Sequence, residues 1–150
     1  MKWLRASAIQ KAANESDEAA IRCAITHWEQ IVDASEKELA RKLNRDRTHF
    51  GVSGCAMCLR FLSITPTNRN KSSRCKLCPL TSSGSRRCYR IDSCTVEGSL
   101  YNVAMQHMNE WHRRKEGDMK MEAWREHKRT AMNMLVDLNK TLVLFMEKEK

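Results

Sequence analysis

The sequence predicts a mainly α fold: a helical bundle, built from a long helix and a C-terminal helix hairpin, with a cysteine-rich module inserted between them. Three observations predict it. Residues 1–50 and 118–150 contain neither glycine nor proline, the two residues that punctuate helices. Apolar residues in both stretches recur three and four apart, the period of one helical face. No segment alternates apolar and polar residues for long enough to read as a strand; short ribbons beside the cysteine pairs are the one exception the pattern allows.

The elements follow in order. A short amphipathic piece at about 3–13 carries Leu4, Ala8, Ile9 and Ala12; it precedes the first long helix, and continuity with that helix is left open. That helix is expected from about 16 to 44, because Ile21, Ile25, Trp28, Val32, Ser35 and Leu39 form one stripe. Ser16, followed by Asp17 and Glu18, reads as its N-cap, with acids in the first turn to meet the helix dipole. A helix at about 99–115 places Tyr101, Met105, Met108 and Trp111 on one side. Gly117 then turns the chain, and Asp118 reads as the N-cap of the last helix. There Met121, Trp124, Lys128, Ala131, Leu135, Leu138, Leu142 and Phe145 make a heptad-like seam, with Lys128 its one polar intrusion. Such a seam can pair within one chain or between two, so a homodimer through the C-terminal helix is open. The seams assign Trp28, Trp111 and Trp124 to the core.

The chain reads as a single domain in three segments: N-terminal helices at 1–48, a zinc-binding insert at 49–97 and the hairpin at 98–150. Charge is unevenly shared among them. The net charge is +9, and residues 49–97 hold eight basic against two acidic side chains. The flanking segments are close to balanced, as solvated amphipathic helices are. No apolar run is long enough to span a membrane, and the opening residues lack the apolar core of a secretory signal. A reducing, cytoplasmic setting is therefore expected, where clustered cysteines more often hold metal than form disulfides.

Cys55 and Cys58 form one Cys-x-x-Cys pair, and Cys75 and Cys78 form another, with sixteen residues between the pairs. This spacing fits one structural zinc ion held by four thiolates at about 2.3 Å. Each short turn delivers two sulfurs, and the bound ion offsets the ordering entropy of a segment poor in apolar residues. A redox dithiol and an iron–sulfur cluster use the same residue type. Cys88 and Cys94 are alternative ligands, able to replace a member of the four. His49 is the nearest histidine, and reads as a solvated turn residue. Cys23 lies off the stripe of its helix, as a small partly buried hydrophobe. His27 and His127 have no partner that spacing can supply. Four thiolates close the coordination shell, and no phosphate loop, dinucleotide fingerprint or metalloprotease motif is present, so no catalytic role is expected.

The order of these motifs resembles a widespread group of small phage-encoded proteins without an established function. The matching residues are Trp28 and Glu29 on a helix, then Cys55 and Cys58, then Cys75, Cys78, Pro79 and Leu80, then Cys88, with Tyr101 and Trp124 beyond. The resemblance spans roughly residues 20–145; Cys94 and residues 1–15 fall outside its pattern. It implies a phage origin and an accessory role inside the infected host cell.

Two functions compete. One is a non-catalytic module that binds a host or phage protein. The other is a nucleic-acid binder that neutralises phosphates with Arg60, Arg69, Lys71, Arg74, Lys76, Arg86, Arg87 and Arg90. Basic side chains around a zinc site also balance the double negative charge of a tetrathiolate centre, which accounts for part of this excess.

Overall fold

The computed structural model describes residues 2–50, 54–64 and 100–150, with side chains as far as Phe61 in the middle stretch. The described residues are mainly helical and contain no strand. Six elements organise them: α1 (Ala6–Glu15), α2 (Asp17–Asp33), α3 (Glu36–Arg45), α4 (Ala56–Ile64), α5 (Leu100–Arg113) and α6 (Asp118–Lys148). A 3-10 turn, Arg47–Phe50, follows α3.

α2 is the centre of the molecule. Ala20, Ile21, Ala24, Ile25, Trp28 and Ile31 are all buried on it, more than one stripe can hold, because α1, α4 and α6 each pack against it. Ser16 does cap it, its Oγ accepting the Ala19 N–H at 3.0 Å. The same serine separates α1 from α2, so the two are not one continuous helix. The expected helix at 16–44 is likewise two helices. Ser35 Oγ accepts the Glu38 N–H while the Glu38 carboxylate accepts the Ser35 N–H at 3.0 Å, a reciprocal cap that starts α3. Ser35 is exposed rather than part of the stripe.

Residues 2–5 run extended along α2. The Gln30 side chain accepts from the Leu4 N–H at 2.9 Å and donates to the Lys2 carbonyl at 3.0 Å. Ile9 and Ala13 of α1 are buried. The N-terminal residues are thus part of the core.

The C-terminal hairpin forms as expected, and α5 against α6 is the largest contact between elements. Gly117 makes its turn at φ +138°, a backbone region that side chains disfavour. It is Gly117, not Asp118, that occupies the N-cap position; Asp118 opens the first turn. The buried face of α6 is Ala123, His127, Thr130, Ala131, Met134, Leu138 and Thr141. The predicted seam is one flank of that face. Met121 lies outside it at 41% exposed, and Ala131 and Leu138 are sealed inside this chain. Trp28 and Trp111 are buried, and the Trp111 and Trp124 rings lie 4.9 Å apart where α5 meets α6.

Candidate metal centre

The cysteine-rich segment begins inside the bundle. α4 buries Ala56, Met57 and Phe61 and packs on α1 and α2. Among the described residues the first cysteine pair sits on a helix and not on a ribbon strand: Cys58 is a helical residue, and the Cys55 carbonyl accepts the Leu59 N–H at 3.0 Å, which makes Cys55 the N-cap of α4. Three residues apart at a helix start, the two thiols meet across one turn. The Cys58 thiol donates to Cys55 Sγ, and so do the N–H groups of Cys58 and Met57. These donors bring the Cys55 thiol down to about 7, against the burial that pushes it up. Lowered in spite of its burial, the Cys55 thiol ionises more readily than an ordinary cysteine, the direction a metal ligand requires.

The path into α4 is fixed by Gly54. A Cβ on this residue would sit 1.7 Å from the His49 carbonyl oxygen, so the chain folds back on the 3-10 turn only with glycine there. Behind it lies a ring cluster. His27 and His49 stack at 4.5 Å between ring centroids, and Trp3 and Phe50 meet His49 edge-on at 5.5 and 5.2 Å. His49, expected as a solvated turn residue, is 4% exposed, and its Nε2 has no hydrogen-bond partner among the described residues. His27 is buried beside it and is hydrogen-bonded to the Gly54 backbone. Burial lowers both rings, His27 to about 4 and His49 to about 3, with the His27 and Lys42 charges adding to the second shift. A void of about 10 Å³ lies between this cluster, Cys55 and Tyr101, room for one water at most.

Cys23 of α2 is the contrasting thiol. It is half-buried, and burial, with Cys55 as a neighbour, pushes it up to about 11. It stays protonated and packs as the small hydrophobe the sequence suggests.

Among the described residues, no three His, Cys, Asp or Glu side chains converge on a point that could hold a metal. Neither histidine of the ring cluster joins Cys55 and Cys58 as a ligand. The other predicted ligands, Cys75 and Cys78, and the alternatives Cys88 and Cys94 all lie outside the described residues. Arg69, Lys71, Arg74, Lys76, Arg86, Arg87 and Arg90 lie outside them too. Arg60 is the described member of the basic set, and it faces inward: its guanidinium pairs with Asp17 and donates to the Ala13 carbonyl at 2.9 Å, tying α4 to the start of α2.

Sequence reasoning missed His27, His49 and Gly54 as organisers of this corner. Gly54 was visible as punctuation, but its contact with His49 depends on how the chain closes. No protein-family model, curated protein or solved structure matches this chain.

Proposed function

We propose that the chain is a non-catalytic accessory protein whose central segment is stapled by one zinc ion, and that it binds a host or phage protein inside an infected cell. The observation that carries the metal is the seating of Cys55 and Cys58 on the first turn of a helix anchored in the core. A rigid pair of soft donors suits a closed thiolate site completed by Cys75 and Cys78. Zinc would then link a preformed half-site on the bundle to a distant polar stretch, and present that stretch as one rigid surface. The phage setting is supported by the motif order alone. Chelation tests the staple: removal of the ion should lower helicity and expose the central segment to protease while α5 and α6 stay folded. Protease resistance unchanged by chelation would reject it.

Nucleic acid is the second reading, supported by the basic excess of residues 49–97. Arg60 is already engaged by Asp17 and the Ala13 carbonyl, so the other seven side chains carry this reading. If the remaining side chains meet phosphates, affinity for DNA or RNA falls steeply from about 50 to 200 mM salt. Replacing Arg86 and Arg87 with Glu should then nearly abolish it. Absence of binding at low salt leaves the protein-partner reading.

A further inference from the structure

The long C-terminal helix has two apolar faces. One is buried against α2 and α5. The other lies on the opposite side of its C-terminal half, where Met132 is 47% exposed, Val136 45% and Val143 56%; Met146, 41% exposed, lies at its edge, where its Sδ accepts from the Arg22 guanidinium of α2 at 3.7 Å. With exposed Asn139 they fall at 132, 136, 139, 143 and 146, spacings of four, three, four and three. That is the seam of a left-handed coiled coil, on a helix the bundle already holds in shape. Leu135, Val136, Val143 and Leu144 line one open, mainly apolar surface there with Met132.

We propose that this outer seam pairs two copies of the chain as a parallel, in-register helix dimer. Residue types choose the occupant and the direction. Val136 and Val143 recur seven apart at the core position where β-branched side chains favour two parallel strands. Asn139 is the only polar residue on the seam. Its Nδ2 donates to the Leu135 carbonyl at 2.9 Å, which leaves its second amide proton and Oδ1 for an outside partner. In the parallel register it faces the partner subunit's Asn139, and the two amides satisfy each other. An antiparallel pairing over the same stretch sets Asn139 against a valine, with its amide buried and unmatched. The flanks agree. Leu135 and Leu142 on one side meet Lys140 and Glu147 on the other, so aliphatic stems cover the leucines and no like charges meet. A two-fold axis along the helices makes the contact self-complementary and closed. The proposal is independent of the metal.

Sedimentation equilibrium of the full chain from about 1 to 300 μM spans the affinities expected of so short a seam. A reversible dimer of the 17.4 kDa chain is expected. The V136E/V143E variant, changed only at exposed positions, should keep its helicity and dissociate at least ~100-fold more readily, because four like charges meet across the contact. A photo-crosslinker in place of Met132 should label the partner near residue 132. A wild-type monomer throughout, as it would be if residues 65–99 cover the seam, overturns the proposal. So does a dimer that V136E/V143E leaves intact, or crosslinks that map near residue 143.

Discussion

Lys128 interrupts an otherwise apolar seam, and the interruption has a cause in another helix. Its Nζ donates to the carbonyls of Ile31, Val32 and Ala34, at 2.9 and 2.6 Å for the first two, while lying 4.5 Å from the Trp124 ring. α2 ends there with no basic residue in its own last turn, so Lys128 supplies the cation its C-terminus lacks. Burial lowers this ammonium to about 8, opposed by Asp33, Glu38 and Glu36, and it remains charged at neutral pH. Replacing Lys128 with Met keeps the length and the apolar stem but strips three carbonyls of their donor. Chemical denaturation should show a loss of about 2 kcal/mol. A variant as stable as wild type would mean that water replaces the ammonium without cost. In one dimension the residue looks like a flaw, because nothing in the spacing of α6 reveals where α2 ends.

At the scale of elements, the joint between α3 and α4 carries the ring cluster, and its histidines are neutral because they are buried. The sign of the pH effect follows. The unfolded chain takes up protons on His27 and His49 near pH 6.5, while the folded chain resists until about 4 and 3. Stability from these groups is complete above about pH 6.5 and drains away as the pH falls below it. Each contributes a slope of up to about 1.4 kcal/mol per pH unit. Replacing His49 with Phe keeps a ring in the stack and should remove one proton's share of that slope, read from urea midpoints between about pH 7 and 5. Equal slopes for the two proteins would contradict a neutral, buried His49. The boundary between α2 and α3 teaches a related lesson. Ser35 followed by Glu38 is a capping box in plain letters, yet the apolar spacing runs straight through it. Period alone joins two helices when the turn between them preserves the phase of the stripe.

For the whole molecule, the helical class, the Ser16 cap, the hairpin at Gly117 and the core tryptophans were legible, because each rests on local spacing or local backbone chemistry. The burial of His27 and His49, the need for glycine at 54 and the inward pairing of Arg60 were not, since each depends on residues from distant parts of the chain. The candidate site divides in the same way. A Cys-x-x-Cys pair is readable as two adjacent thiols, but its place at the head of a helix packed on α1 and α2 is a tertiary fact. The account depends on that half-site being completed by metal. Elemental analysis of the purified chain, beside a variant with Cys55 and Cys58 both replaced by serine, tests it most directly. The account predicts about one zinc per chain in the wild type and almost none in the variant. A wild-type protein purified without any bound metal, or one that keeps its zinc when both cysteines are gone, would contradict it.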